Sequence, residues 1–117
     1  MPKKSSNSVR IFYPKYSKEK AIKKVTENLE VLHRKLPLLL VSLFGSYAKG
    51  NYTAASDIDL LVVYRGKEKK DAYGMVKKAI EIYRLEPHVY SEDEYRENKD
   101  TITKMIKDGI IIYREGA

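Results

Sequence analysis

The chain has 117 residues, of which 43% are hydrophobic and 33% are charged, and it contains no cysteine. A chain of this length supports one modest core, and its composition is that of an ordinary folded domain. The lack of cysteine excludes disulfides and thiolate metal sites. A formal net charge of +7 favours anionic partners such as nucleotides, RNA or an acidic protein. Because the lysines are spread along the chain, a dedicated nucleic-acid groove is not favoured.

No segment of the sequence predicts secretion or a membrane span. The longest apolar run, residues 36–44, contains a proline and a serine and is too short to cross a bilayer. Lys3 and Lys4 are followed by serine and asparagine instead of an apolar stretch, so no secretory signal is expected. We therefore expect a cytoplasmic protein with one domain over residues 1–117, of which residues 1–8 form a flexible tail.

The first half of the chain predicts a strand, a helix and a buried strand. Residues 9–13 are β-branched and aromatic, and a proline follows them, which is typical of an edge strand. Ser17 is a favourable N-cap for an amphipathic helix over residues 18–36. Residues 38–44 are uniformly apolar and predict a buried strand, after which a short helical turn and a polar loop are expected.

The second half predicts two further strands with a helix between them. Residues 57–64 form a second core strand, and apolar residues at helical spacing predict a helix over residues 71–84, with Tyr83 in the core. Residues 85–90 form the next strand, and Pro87 places that strand near a sheet edge.

The end of the chain adds one helix and one strand. Ser91 and Glu94 have the spacing of a capping box and open a helix over residues 92–107. Residues 110–113 predict a short closing strand. The whole order predicts an α/β (α+β) sandwich in which helices pack on a small mixed β-sheet.

Acidic residues stand at the start of the second core strand, and a glycine-serine turn stands at the end of the first. Asp57 and Asp59 are two residues apart, so both carboxylates are predicted on one strand face, where they repel each other. A divalent cation would relieve the repulsion, and Mg²⁺ binds one or two carboxylates together with substrate phosphates. Gly45 lets the backbone approach a phosphate, and the Ser46 hydroxyl adds a donor. The combination indicates nucleotide chemistry, although two aspartates can also simply solvate a strand start.

The chain also follows the pattern Gly-Ser-x-Ala-x-Gly, then Ser-Asp-x-Asp-Leu-x-Val. This pattern resembles the signature of the DNA polymerase beta-like nucleotidyltransferase superfamily, and most closely that of its minimal nucleotidyltransferases. The matching positions are Gly45, Ser46, Ala48, Gly50, Ser56, Asp57, Asp59, Leu60 and Val62. The resemblance implies a nucleotidyltransferase-like fold, Mg²⁺ or Mn²⁺ as cofactor, and ATP or another nucleoside triphosphate as substrate.

Superfamily members use three catalytic, metal-binding carboxylates, two on one strand and one on a neighbouring strand. Asp57 and Asp59 match the first two, and Glu86 is the candidate for the third because a carboxylate suits Mg²⁺ and can act as a general base. Glu86 precedes a proline, whereas minimal members often carry an aspartate inside an apolar strand, so an incomplete triad stays open. The nucleotide-binding residues that the resemblance implies are Gly45, Ser46, Lys49 and Ser56.

Two interpretations are open for each of the aromatic and imidazole side chains near these positions. His88 suits proton transfer or a phosphate contact, and equally a structural imidazole held by a hydrogen bond. Tyr47 and Tyr52 could stack on a base or could pack in the core.

The resemblance implies an enzyme that moves a nucleoside monophosphate, most simply AMP from ATP, to a hydroxyl acceptor. Minimal members are often found with a small helical partner protein in pairs that resemble toxin and antitoxin, so a hetero-oligomer is implied and a homo-oligomer is compatible. The alternative is a non-catalytic antitoxin or nucleotide-binding module with an incomplete carboxylate triad. A third interpretation is transfer to a small molecule, which usually needs an added domain for the acceptor.

Overall fold

The structure is a computed structural model that describes residues 16–116. The tail predicted over residues 1–8 and the strand predicted over residues 9–13 lie outside the described residues. Within residues 16–116, no helix combines the length and the apolar composition that a bilayer crossing requires.

The described residues form five helices and four strands. In chain order they are α1 (Lys18–Lys35), β1 (Leu38–Phe44), α2 (Ser46–Lys49), β2 (Ile58–Tyr64), α3 (Ala72–Ala79), β3 (Leu85–Ser91), α4 (Glu92–Glu97), α5 (Lys99–Met105) and β4 (Ile110–Arg114). The strands are ordered β3-β2-β1-β4 in one sheet. Strand β1 is antiparallel to β2 and β4, whereas β3 is parallel to β2. The sheet is therefore mixed, as the sequence predicts, and Pro87 lies on an edge strand, where its missing N–H is tolerated.

Both faces of the sheet are covered by apolar packing. Leu60 and Val62 of β2 belong to the larger core cluster, together with residues of α1 and α3. Leu61 and Val63 point the other way and pack in a smaller cluster with Ile102 of α5. This alternation explains why β2 is apolar at every position after Asp59, since neither face of the strand meets water.

The helix predicted over residues 71–84 is shorter than expected. It ends at Ala79, and Ile80 leaves the helical region with φ −115° and ψ 88°. Ile80 and Ile82 are both buried, which is the two-residue spacing of an extended segment. The placement of Tyr83 in the core is wrong, because 57% of this residue is exposed.

The helix predicted over residues 92–107 is divided at Asn98 into α4 and α5. The Asn98 side-chain amide donates to the Glu94 carbonyl at 2.9 Å. A side chain that bonds to the preceding turn competes with the helical backbone, which is the physical reason for the break. The capping box at the start of this segment is confirmed: Ser91 Oγ accepts from the Glu94 amide at 3.1 Å, and Glu94 Oε1 accepts from the Ser91 amide at 2.9 Å.

We expect Ser91→Ala to lower the free energy of unfolding by about 1 kcal/mol, because the buried cap of α4 loses its acceptor. Urea denaturation followed by circular dichroism measures the change. Ser17→Ala is the matched control, since Ser17 caps α1 with one exposed hydrogen bond and should cost less. An equal or larger loss in Ser17→Ala would contradict the expectation.

Candidate active site

The turn after β1 lies against the start of β2. Because the two strands are antiparallel, Phe44 at the end of β1 pairs with Asp59 near the start of β2. Gly45 follows with φ 75°, a conformation that L side chains rarely adopt. A Cβ built on Gly45 would overlap Asp59 Oδ2 and would lie 3.3 Å from its Cγ. Only glycine therefore fits here, for reasons of both backbone conformation and space.

Helix α2 continues directly from this turn. The Lys49 amide donates to the Gly45 carbonyl at 3.1 Å, and the Gly50 amide donates to the Ser46 carbonyl at 3.0 Å. Ser46 is half-buried in the first position of the helix, whereas Lys49 is exposed in the last. The short helical turn predicted for these residues is confirmed.

Asp59 is bonded to a histidine on the neighbouring strand. His88 Nε2 lies 3.2 Å from Asp59 Oδ1, and both side chains are largely buried, with 29% and 26% exposed. The His88 ring also meets the Phe44 ring edge-on, with the ring centroids 4.9 Å apart. The hydrogen bond and the aromatic contact hold the imidazole beside the carboxylate, as the structural interpretation of His88 requires.

Asp57 lies just outside β2, one residue before the strand begins, rather than inside it as predicted. Its Oδ1 is 3.3 Å from Nη2 of Arg84, the residue before β3. Arg84 has φ 63°, which is outside the β region, so the pairing of β2 with β3 starts only at Ile58 and Leu85. Asp57 therefore pairs with Arg84 and Asp59 with His88, and both partners belong to one segment, residues 84–88.

Glu86 is the register partner of Asp59 across the parallel pair. Its side chain is exposed. Parallel strands place register partners side by side on one face, so Glu86 lies next to Asp59 in the sheet. Neither the hydrogen bonds nor the ion pairs described for residues 16–116 join the two carboxylates.

The remaining candidates take part in local structure. Ser56 Oγ accepts from the Thr53 amide at 2.9 Å and so closes the loop between α2 and β2. Tyr47 is almost fully buried and stacks on Tyr52, with the ring centroids 4.0 Å apart. Burial raises the pKa of the Tyr47 phenol, and Tyr52 adds to the shift. Tyr47 and Tyr52 pack on each other, which favours the packing interpretation of this pair.

The carboxylates of this site are possible ligands of a divalent cation. Within residues 16–116, no three or more His, Cys, Asp or Glu side chains form a group that could hold a metal ion. Asp59 nevertheless supplies a hard oxygen donor against the Gly45 turn, and Asp57, just before β2, supplies another. This donor set suits Mg²⁺ when substrate phosphates complete the coordination, as is usual for this ion.

The sequence interpretation missed Arg84 as a residue of this site and placed it at the end of a helix. The register of the parallel strands explains the contact. Asp59 pairs with Glu86, so Arg84, two residues before Glu86, comes next to Asp57, two residues before Asp59. That register is a tertiary property, and the sequence alone offers no marker for it.

The chain is similar to known proteins in both sequence and fold. A model of the nucleotidyltransferase domain matches residues 22–115. A curated protein of Methanocaldococcus jannaschii, provisionally named a protein adenylyltransferase, is 47% identical over 47 residues. The match covers 40% of this chain and 46% of the relative, so the chain spans about half the length of the curated relative that it matches.

Solved structures share the fold. A provisionally named nucleotidyltransferase from Sulfolobus solfataricus is 27% identical with a TM-score of 0.60, and the match covers 84% of each chain. A protein described as a toxin–antitoxin with AMP-PNP is 20% identical with a TM-score of 0.56, covering 78% of this chain and 74% of the other. Because the identity to this second structure is only 20%, the match shows a shared fold and nothing more.

We expect Gly45→Ala to destabilise the protein more than Gly50→Ala does. Both glycines have positive φ, so alanine costs about 1–2 kcal/mol of backbone strain at either position. At Gly50 nothing lies within 4 Å of the added Cβ, whereas at Gly45 the Cβ overlaps the Asp59 carboxylate. Overpacking of this kind adds about 1 kcal/mol or more. Thermal or urea unfolding of the two variants measures the difference, and equal losses would show that Asp59 does not crowd Gly45.

Proposed function

The chain belongs to the nucleotidyltransferase domain family, and from that premise we propose that it transfers AMP from ATP to a hydroxyl group of a partner protein. The observation that carries the proposal is the contact between Gly45 and Asp59. It brings a turn that suits phosphate binding against Asp59, and Asp57, two residues earlier in the chain, supplies a second carboxylate for a divalent cation. A nucleoside triphosphate is the substrate class that needs both.

We assign the binding of the outer phosphates to the Gly45–Ser46 turn. The Gly45 amide and the Ser46 hydroxyl donate to phosphate oxygens, and the lack of a Cβ at Gly45 lets the phosphate approach the backbone. Lys49 is exposed on the same short helix and adds a positive charge toward the triphosphate. Ser56 supports the site by closing the loop before Asp57.

Asp57 and Asp59 would hold Mg²⁺ or Mn²⁺, with Glu86 as the third carboxylate. When bound, the cation neutralises charge on the triphosphate and acidifies the acceptor hydroxyl. Glu86 orients that hydroxyl and accepts its proton. The acceptor oxygen then forms a bond to the α-phosphorus while the bond to the β-phosphate oxygen breaks, and pyrophosphate leaves.

A protein acceptor is supported by the relatives. The protein of M. jannaschii carries the name of a protein adenylyltransferase, and a solved structure of the same fold is a toxin–antitoxin with AMP-PNP. A small helical protein in a toxin–antitoxin pair with this chain is therefore the partner that we propose. Localisation in the cytoplasm is part of the same proposal.

A non-catalytic nucleotide-binding antitoxin is the second candidate, and a specific observation favours it. Within the described residues, Asp57 pairs with Arg84 and Asp59 with His88, and Glu86 completes no metal-binding group of three side chains. A chain of this kind would retain ATP binding through the turn without transferring AMP.

We expect Asp57→Asn to abolish AMP transfer while leaving the fold intact. The purified chain is incubated with Mg²⁺, ATP labelled at the α-phosphate, and the protein encoded by the neighbouring gene. Label on that protein is then measured after gel electrophoresis. Asp57 helps to hold the cation, and the cation stabilises charge that develops in the transition state. Removal of this carboxylate should therefore lower transfer at least about a hundredfold.

Glu86→Gln separates the two candidates, and Asp71→Asn is the charge-matched control. Asp71 is an exposed aspartate that precedes α3 and makes no side-chain capping bond. The enzyme proposal requires that wild type and Asp71→Asn transfer AMP and that Asp57→Asn and Glu86→Gln do not. Binding of AMP-PNP by wild type without any label on the partner would favour the nucleotide-binding module instead.

A further inference from the structure

Arg84 has an unusual backbone. Among residues 16–116, it is the one non-glycine residue with positive φ, at 63°. L-residues other than asparagine and aspartate rarely adopt this left-handed conformation, whereas glycine adopts it without penalty. An arginine held in this conformation must be fixed by its surroundings.

The Arg84 side chain reaches back across the sheet edge to the segment that precedes β2. Its Nη2 donates to the Ala55 carbonyl at 2.8 Å, and its Nε donates to the Ser56 carbonyl at 3.3 Å. The same Nη2 lies 3.3 Å from Asp57 Oδ1. One planar guanidinium therefore contacts three consecutive residues, which a lysine ammonium could not do in the same fixed geometry.

The Arg84 main chain holds the next residue as well. Its carbonyl accepts from the Ile58 amide at 2.8 Å. Side chain and main chain together tie down four consecutive residues, 55 to 58, immediately before Asp59. The positive φ of Arg84 is the conformation in which both sets of bonds are made.

A contribution to stability does not account for the ion pair between Arg84 and Asp57. Arg84 and Asp57 side chains are 38% and 47% exposed, and an ion pair in water at this exposure contributes little to folding. A glycine at this position would remove the backbone strain. The three side-chain contacts hold residues 55–57 in place, and with them the Asp57 carboxylate.

We propose that Arg84 is a positioning residue that sets the place of the Asp57 carboxylate for the transfer reaction. The proposal rests on the proposed function, in which Asp57 holds the divalent cation. Arg84 itself acts through the 55–57 segment and contacts no reacting atom. Its loss leaves the carboxylate present but displaced, and misplacement of about 1 Å can cost up to a hundredfold in rate.

The test compares Arg84→Gly, Arg84→Lys and Arg65→Gly with wild type. Glycine removes the side chain and relieves the strain, so the variant is expected to fold, whereas lysine keeps the charge without the planar fork. Arg65 is the matched control, because it is an exposed arginine at the other end of β2 that pairs with Glu115. The readouts are kcat and KM for ATP in AMP transfer, Mn²⁺ affinity by electron paramagnetic resonance, and amide hydrogen exchange of residues 55–58.

In Arg84→Gly we expect kcat to fall at least about tenfold with KM for ATP little changed, Mn²⁺ affinity to weaken, and exchange of residues 55–58 to accelerate. Arg84→Lys should recover part of kcat, and Arg65→Gly should match wild type. Wild-type kcat in Arg84→Gly, or unchanged exchange and Mn²⁺ affinity, would overturn the proposal. If wild type itself transfers no AMP, the proposed function fails, while exchange and Mn²⁺ binding still decide whether Arg84 positions Asp57.

Discussion

The backbone of Gly45 passes so close to the Asp59 carboxylate that no side chain fits between them. This contact exists because β1 and β2 are antiparallel and paired, which places the end of one strand beside the start of the other. The turn can then bend away into α2 only through a positive φ, and glycine is the residue that allows it. A single residue thus satisfies a backbone requirement and a steric requirement at the same point, and the candidate active site is built around it.

The parallel pairing of β2 with β3 supplies the second half of the site. Arg84, Glu86 and His88 come from one continuous segment, and each lies beside the start of β2. The aspartates therefore do not stand alone on their strand: Asp59 has an imidazole partner in a half-buried setting, and Asp57 has a guanidinium partner nearer to solvent. The different exposure of the two pairs leaves Asp57 the more accessible carboxylate, and its position depends more on a neighbouring side chain than on strand geometry.

The sheet can present polar groups at this end because its interior is apolar on both faces. Helices α1 and α3 cover one face and α5 the other, so β2 is buried from Leu60 onward, directly after the Asp59 carboxylate. The edge position of β3 accommodates Pro87 between Glu86 and His88 without loss of a ladder hydrogen bond. Because β2 is central and its charged residues lie only at its start, the site can carry charge with little disturbance of the core packing.

The sequence by itself determined the strands β1 and β2, the helix α1, the capping box at Ser91 and the family, because each of these depends on local pattern or on a short motif. It did not determine the end of α3 or the division between α4 and α5, where buried extended packing at Ile80 and Ile82 and the Asn98 side-chain bond override helical spacing. It also placed Tyr83 in the core, although the chain has already left the helix there. Only the tertiary structure decided that Arg84 pairs with Asp57 and His88 with Asp59. The partners are separated by 27 and 29 positions in the sequence and meet through the register of two parallel strands, which no local pattern encodes.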